Sequence, residues 1–424
     1  MKNHKIRKNS YLIKDELFNA GLIFLFFSLI ISGFNYLYHV FMGRMLGPVD
    51  YGILGSLFAI VYIFSFSSSP FNLVISKSVA EYSGRREKQK IKRLFKRSIF
   101  WIIIFGVIFF IIYLLLVPYI ADFMNLNNKT EIIIVGLIAL FSFISVIFSG
   151  TLNGLEKFVW QNTSGFFAAL FKLVLGIVFV LAGFSLNGAL GAILCGTIAG
   201  ILIAFIPIRK EFRGVKEENF DAKKAYLYAL PVFIASILFV LIITLDQILV
   251  KHFFSSENAG IYAAAGMIGK IIWFSTGFLI GPLFPKVVRL KAEGKNTSKL
   301  LINAIIYISL IIAAECIVFF AVPNFIVNTI FGSSYISAVP LIGLFGIALG
   351  IFSLLQIFMT YNLAIEKYNF IYIFLAGIII EIAGIYFYHS TLLDVVKTVL
   401  VTSSFIIISM IIYNRKDIWG ENGK

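Results

Sequence analysis

The chain has 424 residues, of which 60% are hydrophobic and only 13% are charged. A soluble protein needs more charged surface than this around its core, so the composition excludes an ordinary soluble globular protein and indicates a polytopic membrane protein. The net charge of +15 lies in short basic segments beside apolar runs, which fits contact with anionic lipids and does not favour nucleic acid binding.

Twelve apolar runs are long enough to cross a bilayer, for which a helix needs about 20 residues. Helices are expected because backbone polar groups in lipid must bond within their own segment. The first run is longer than the core of a cleavable signal, so we predict a retained first span. The predicted spans are 17–41, 51–75, 99–120, 132–152, 160–182, 189–208, 226–250, 260–284, 300–322, 338–360, 370–389 and 394–413.

The distribution of Lys and Arg among the connections predicts the orientation of the chain. Of the 36 basic residues, 30 lie in one set of alternating connections. The other set holds only Arg44, Lys129 and Lys251, and the remaining three fall inside spans. We therefore predict a multi-pass protein of the cytoplasmic membrane with both termini in the cytoplasm.

An internal repeat organises the chain: the pattern of residues 34–64 returns at 242–272 after a shift of 208 positions, which places Gly52 on Gly260. Six spans per half start both halves on the same side of the membrane. The repeat is therefore predicted to be parallel, with its axis along the membrane normal. The predicted domains are an N-terminal six-helix bundle (1–208), a cytoplasmic linker (209–225), a C-terminal six-helix bundle (226–413) and a cytoplasmic tail (414–424).

Charges inside the predicted spans are the candidate functional residues, because a charge at mid-bilayer costs roughly 2.5–3.5 kcal/mol and tends to face a cavity or a partner. Lys270 is the first candidate to line a water-filled cavity, since the sequence shows no neighbour of opposite charge. Lys172 and Arg44 are further basic candidates for a substrate cavity. The acidic candidates for coupling to an ion are Asp246, Glu315 and Glu381.

Several of these residues also have a structural interpretation. Lys172 and Glu381 occupy nearly equivalent places in the two halves, so they are candidates for a buried structural ion pair. Asp246 lies about one turn from the interface, where it can cap a helix. Arg44 and His39 also lie near an interface, and a solvated side chain is the simpler interpretation for both.

No catalytic pattern is present in the sequence. The four histidines are not paired at a zinc spacing, and neither a nucleophile elbow nor a phosphate-binding glycine loop occurs. The two cysteines lie inside apolar runs and have no metal-ligand spacing. We therefore expect a protein that is not an enzyme and that binds no cofactor or metal.

Two stretches resemble the polysaccharide-biosynthesis flippases, which are Wzx-type exporters of the multidrug/oligosaccharidyl-lipid/polysaccharide exporter superfamily. FMGRMLGPVDYGILGSLFAI, at residues 41–60, resembles the first span junction of that family. ALPVFIASILFVLIITLDQILVKHFFSSENAGIYAAA, at residues 229–265, resembles its seventh and eighth spans. The shared features of the second stretch are Leu230-Pro231, Leu245-Asp246 with Val250 shifted by one position, and Gly260-Ile261-Tyr262.

The resemblance implies a V-shaped pair of six-helix bundles around a central cavity. It also implies that the protein moves lipid-linked oligosaccharides, typically polyprenyl-diphosphate glycans, to the outer leaflet by alternating access. Basic cavity residues such as Lys172 and Lys270 would offset the cost of carrying a diphosphate through a low dielectric. The expected partners are the lipid-linked glycan, membrane lipids, H⁺ or Na⁺ as coupling ion, and glycosyltransferases or polymerases of the same pathway.

Three alternatives compete with this interpretation. A cation-coupled drug or metabolite antiporter of the same superfamily would prefer an acidic cavity, whereas acidic and basic residues inside the spans are nearly balanced. A major facilitator carrier would show a short glycine-rich basic signature between spans two and three, which the segment 77–97 lacks. A membrane glycosyltransferase or polymerase tends to have large charged outer loops, but the longest predicted outer loop, 323–337, has no charged residue.

Overall fold

Helices form almost all of the described chain, because apolar segments in lipid must satisfy their backbone hydrogen bonds internally. The computed structural model describes residues 2–216, 218 and 223–418, and these residues contain no β-strand. A π-helical turn (Val180–Phe184) follows α5 and a 3₁₀ helix (Ser333–Ala338) precedes α13. The helices are α1 (Lys2–Ser67), α2 (Ser69–Gly84), α3 (Lys88–Phe123), α4 (Lys129–Gly154), α5 (Phe158–Phe179), α6 (Ser185–Glu211), α7 (Lys223–Ile242), α8 (Leu245–Phe253), α9 (Ser256–Ile280), α10 (Leu283–Ala292), α11 (Ser298–Ala321), α12 (Pro323–Ile330), α13 (Val339–Ala364), α14 (Phe370–Phe387), α15 (Leu392–Tyr413) and α16 (Arg415–Ile418).

The prediction of a multi-pass, all-α membrane protein is confirmed. Within the described residues, nine helical runs are long and apolar enough to cross a membrane. Two of them, Phe27–Gly84 and Phe158–Glu211, have 58 and 54 residues. At 1.5 Å per residue each run is about 80 Å long, which is enough for two crossings of a bilayer core about 30 Å thick. The number twelve, the internal repeat and the cytoplasmic position of the termini stay predictions.

Helix α1 contains a sharp break at the junction that the sequence predicts between its first two spans. Gly47 has a φ of 73° and a ψ of 176°, a left-handed conformation that glycine adopts without the clash of a side chain. Pro48 follows and has no backbone N–H to continue the hydrogen-bond ladder. The two residues redirect the chain, so that residues 48–67 form a second helical arm.

Glycine pairs at four-residue spacing allow neighbouring helices to pack closely. A side chain at Gly196 or Gly200 of α6 would press against the backbone and Ala168 of α5. Gly346 and Gly350 of α13 lie against side chains of α11. All four glycines therefore have a structural role in the packing of neighbouring helices.

The two predicted halves meet along α1. The second arm of α1 packs against α9, and α1 also contacts α7 and α8. Gly52 on α1 and Gly260 on α9 allow the two backbones to touch, since a side chain at either glycine would overlap a carbonyl oxygen of the other helix. Helix α13 also packs against α9, so α9 contacts helices of both predicted halves.

Candidate functional site: the central cavity

A small cavity lies where elements of both predicted halves meet. Its walls come from α1, the α7–α8 junction, α9, α13 and α15. Its volume is about 50 Å³, which is room for one or two water molecules at about 30 Å³ each. In the described conformation the cavity therefore has room only for water-sized ligands.

Helical spacing determines which residues of α1 reach the cavity. Tyr51, Gly55, Phe58 and Tyr62 are three or four residues apart and line it together, because residues at these intervals share one face of a helix. On α9, Lys270 follows other lining residues at the same four-residue interval. Each helix thus presents one continuous stripe to the cavity.

The lining residues of the two halves correspond to one another under the shift of 208 residues. Gly55 with Ala263 and Tyr62 with Lys270 are two such pairs that also touch across the cavity. The pairs in which both members line the cavity are His39 with Gln247, Gly55 with Ala263, Phe58 with Gly266, Ala59 with Met267, and Tyr62 with Lys270. This correspondence is what the predicted repeat would produce, and the repeat itself stays a prediction.

Lys270 lies in the wall of the cavity, where the sequence analysis expects it. It is the single Lys or Arg among the described lining residues. Its Nζ lies 4.9 Å from the centroid of the Tyr62 ring, a distance that suits a cation–π interaction. Asp246 lines the same cavity, so Lys270 has a neighbour of opposite charge that its sequence surroundings do not reveal.

Asp246 is positioned by the break between α7 and α8. Thr244 has a φ of −137°, and a new helix starts at Leu245, which places Asp246 in the first turn of α8. A carboxylate is favoured there by the positive end of the helix dipole. The side chain is only 7% exposed and accepts a hydrogen bond of 2.7 Å from the Tyr262 hydroxyl.

Glu381 on α14 is the second buried carboxyl near the cavity. Its side chain is 0% exposed and lies close enough to Asp246 for an electrostatic interaction. Neither of its carboxylate oxygens has a hydrogen-bond partner among the residues that the structure describes. The two acidic groups therefore lie near each other on α8 and α14; Asp246 accepts a hydrogen bond, and Glu381 has none among the described residues.

Lys172 on α5 is buried but is not part of the cavity wall. It donates a hydrogen bond to Oδ1 of Asn35 on α1. Its Nζ lies 4.8 Å from the ring centroid of Tyr38 and 5.9 Å from that of Phe58. Because Phe58 lines the cavity, Lys172 stands directly behind the wall. The predicted ion pair of Lys172 with Glu381 is wrong. Lys172 is hydrogen-bonded to Asn35, and neither carboxylate oxygen of Glu381 has a partner among the described residues.

The remaining two candidates lie away from the cavity. Arg44 is exposed, and its guanidinium donates to the carbonyl oxygens of Thr329 and Ile330 at the end of α12, the second at 2.9 Å. Glu315 on α11 is half-buried beside Ser275. The structure thus brings together Lys270, Asp246 and Glu381, with Lys172 one side chain behind.

The sequence analysis missed several polar residues of the cavity. His39 is 6% exposed, so the prediction that it is solvated is wrong. Gln247 donates to the Ser56 hydroxyl at 3.2 Å and thereby links α8 to α1. The sequence did contain a sign of each residue. Gln247 directly follows the candidate Asp246, and His39 aligns with Gln247 under the shift of 208 residues.

The cavity offers no evident site for a metal ion or a cofactor. Within residues 2–216 and 223–418, no group of three or more His, Cys, Asp and Glu side chains is arranged to hold a metal. The arrangement instead combines the partly buried cation Lys270, the buried carboxyl of Asp246 with that of Glu381 nearby, and several hydroxyl groups. Such a set can bind a charged ligand group and exchange an ion or a proton.

Comparison with known proteins gives a family and a fold. Residues 18–291 match the family described as "Polysaccharide biosynthesis protein". No curated protein matches the chain significantly in sequence.

Several solved structures are similar to this fold over nearly the whole chain. An inward-facing multidrug resistance MATE family transporter of the MOP superfamily has a TM-score of 0.75 and 15% identity, covering 94% of this chain and 98% of that one. The Vibrio cholerae MATE transporter VcmN, in a mutant form, has a TM-score of 0.69 and 13% identity, covering 96% and 97%. The lipid II flippase MurJ, in an inward closed conformation, has a TM-score of 0.66 and 13% identity, covering 93% and 89%.

Proposed function

Because the chain belongs to the polysaccharide biosynthesis protein family, we propose that it is a flippase. It moves a lipid-linked oligosaccharide, with a polyprenyl diphosphate as carrier, across the cytoplasmic membrane during the synthesis of cell-surface polysaccharide. The protein acts as a transporter and not as an enzyme. The fold it shares with MATE transporters and with MurJ supports this proposal.

The observation that carries the proposal is the position of Lys270. It is the single Lys or Arg among the described residues that line a cavity between the two predicted halves, within a protein that keeps 33 of its 36 basic residues in the connections. A diphosphate is the charged part of the proposed substrate. At 4 Å, opposite charges attract by about 4 kcal/mol at an effective dielectric constant of 20, so one or two lysines offset part of the cost of moving the phosphates through the membrane. Lys172 supplies the second cation.

The mechanism is alternating access. The central cavity of about 50 Å³ is too small for a glycan, so the two halves must separate before the head group enters. The head group then passes through the space between the halves while the polyprenyl tail stays in lipid. The two predicted bundles, 1–208 and 226–413, would rock as units about the α1–α9 contact, with 209–225 as the cytoplasmic linker and 414–424 as the cytoplasmic tail.

Coupling to H⁺ or Na⁺ involves the acidic pair of Asp246 and Glu381. Glu381 has no hydrogen-bond partner among the described residues, so its carboxyl is available to take a proton or a cation. Glu315 is the weaker candidate, since it is only half-buried beside Ser275, whereas Glu381 is fully buried and close enough to Asp246 for an electrostatic interaction. Glycosyltransferases and polymerases would supply and consume the lipid-linked glycan.

The second candidate function is a cation-coupled drug or metabolite antiporter. Two observations favour it: the similarity to multidrug MATE transporters, and the two acidic groups beside the cavity. A cationic drug would replace Lys270 as the partner of Asp246. The presence of Lys270 in the wall argues for an anionic substrate instead.

Lipid translocation in proteoliposomes tests the proposal. A polyprenyl-diphosphate glycan is incorporated into both leaflets, and the rate at which the inner pool becomes accessible to an external glycosidase is measured. We expect faster translocation than in empty vesicles. We expect Lys270→Ala to reduce the rate at least tenfold, because a charge interaction of a few kcal/mol is lost.

Lys397→Ala is the matched control, since Lys397 also lies inside a predicted span but is exposed on α15 within 3.7 Å of Asp394. It should leave translocation unchanged. Failure of the folded wild-type protein to translocate the lipid with any ion gradient would reject the flippase and favour the antiporter. Equal rates for Lys270→Ala and the wild type would remove Lys270 from the mechanism.

A further inference from the structure

A second and larger cavity lies inside the first predicted half. Its volume is about 480 Å³, and its walls come from α1, the start of α2, α4, α5 and α6. It shares no lining residue with the central cavity. Its size lies in the range of roughly 300–1,000 Å³ that is usual for small-molecule sites.

The lining of this cavity is polar and uncharged. Ten of its seventeen lining residues carry a hydroxyl or an amide, and none carries a charge. A phosphate or an ion would find no counter-charge here, and a lipid tail could not hydrogen-bond to the polar atoms of the lining that lack a partner. The polar lining residues are Ser28, Ser65, Ser68, Ser142, Ser145, Ser149, Gln161, Asn162, Ser164 and Thr197.

Two amides of the lining lack part of their hydrogen bonding. Asn162 is 5% exposed, and its Nδ2 has no partner within the described part of the chain. The Oε1 of Gln161 likewise has none there. A buried donor or acceptor without a partner costs about 1–3 kcal/mol, so a ligand that supplies both a donor and an acceptor would be bound favourably.

The cavity leads toward the buried cation Lys172. On α5, Asn162, Gly165 and Ala168 line the cavity at intervals of three residues, and Lys172 follows one turn further on the same face. Lys172 is also the residue behind Phe58 of the central cavity. The polar cavity, Lys172 and the central cavity therefore lie in this order, from the inside of the first predicted half toward its contact with the second.

We propose that this cavity binds an uncharged sugar unit. Sugar rings carry hydroxyl groups that both donate and accept hydrogen bonds, which matches the lining. This proposal rests on the flippase function. The cavity would then bind one sugar of the transported glycan, and Lys172 would lie at the end of the cavity where the glycosyl phosphate is placed. The uncharged sugar would then bind in this cavity, and the charged diphosphate would bind near Lys172 and the central cavity.

The test measures sugar binding by the purified full-length chain in lipid nanodiscs, with ligand-observed saturation-transfer NMR. Glucose and N-acetylglucosamine are the neutral probes, and glucuronate is the charged probe of similar size. We expect binding of a neutral probe and at least tenfold weaker binding of glucuronate. Asn162→Leu should weaken binding about tenfold because the amide is lost, and Ser145→Leu should abolish it by filling the space.

Asn362→Leu is the control, because Asn362 is a buried asparagine in the other half whose amide already donates to the Phe358 carbonyl at 2.8 Å. Its sugar binding should equal that of the wild type. Absence of binding by either neutral sugar, equal binding of glucuronate, or unchanged binding by both cavity variants would overturn the proposal. Sugar binding without lipid translocation would reject the flippase and keep the sugar site, whereas translocation without sugar binding would reject only the sugar site.

Discussion

At the scale of single residues, the buried charges differ in whether they have partners. Asp246 accepts a hydrogen bond from Tyr262, and Lys172 donates one to Asn35. Glu381 is fully buried and has no partner among the described residues. A buried polar group without a partner destabilises a fold, so Glu381 is the residue for which packing offers the weakest explanation and ion coupling the strongest.

Replacement of Glu381 separates stability from function. We expect Glu381→Leu to raise the free energy of unfolding by about 1–3 kcal/mol, because an unpaired buried acid is replaced by an apolar side chain of similar size. The same variant should lose the response of lipid translocation to an imposed H⁺ or Na⁺ gradient. Thermal unfolding in detergent and the proteoliposome assay measure the two effects.

Glu315→Leu is the comparison variant, since Glu315 is half-buried beside Ser275, whereas Glu381 is fully buried. This variant should change neither the free energy of unfolding nor the response of translocation to an ion gradient by much. Lower stability of Glu381→Leu, or an unaltered response to both gradients, would contradict the assignment of Glu381 to ion coupling.

At the scale of helices, α1 and α9 form the close crossing between the two predicted halves. Gly52 faces the carbonyl oxygen of Ser256, and Gly260 faces that of Pro48. These two contacts are related by the shift of 208 residues. A pair of equivalent helices therefore touches backbone to backbone beside the cavity, and no side chain fits between them.

A methyl group at this crossing should push the two helices apart. We expect Gly260→Ala to reduce the free energy of unfolding by about 1–3 kcal/mol, the usual cost of overpacking, and to slow translocation. Gly277→Ala on the same helix is the control, since a side chain there meets no atom within 4 Å. Thermal unfolding compares the variants, and equal midpoints would show that the crossing can relax without cost.

At the scale of the whole molecule, two basic positions join the predicted halves at one end. Arg44 of the first half donates to the last carbonyl oxygens of α12 in the second half. Lys251 of the second half donates to the Met124 carbonyl, just after α3 of the first half, at 2.7 Å. Cations at helix C-termini are favourable, so these two contacts, together called the clasp, stabilise the junction of the predicted halves at this end.

Removal of the clasp should favour conformations that are open at this end. Hydrogen bonds to charged groups contribute about 1.5–3 kcal/mol each. The double substitution Arg44→Ala and Lys251→Ala should therefore shift the ratio of open to closed molecules at least tenfold. Tyr119 on α3 and Phe325 on α12 are both exposed and can carry spin labels. Double electron–electron resonance then measures the distance between the two labels and thus the separation of the halves.

The labels require replacement of Cys195 and Cys316, both of which are free cysteines. Lys129→Ala is the control, because Lys129 is the third basic residue of the same set of connections and lies at the start of α4. A distance distribution that does not change in the double variant would mean that the clasp does not restrain this end.

The sequence by itself determined the class of the protein, its helices and its family. These properties depend on the order of apolar and polar residues along the chain, because a bilayer selects helices by local hydropathy and length. The break at Gly47 and Pro48 and the packing glycines were likewise predictable, since each depends on the chemistry of one or two residues.

Only the tertiary structure decided which charges share a site. Lys270 and Asp246 line one cavity, Lys172 lies behind its wall, and Arg44 binds the end of α12 instead. The hydroxyl-lined cavity of the first half was also not predictable, because its serines are spread over several helices. The rotation of each helix about its own axis is set by packing against its neighbours, and hydropathy along the chain carries little information about it.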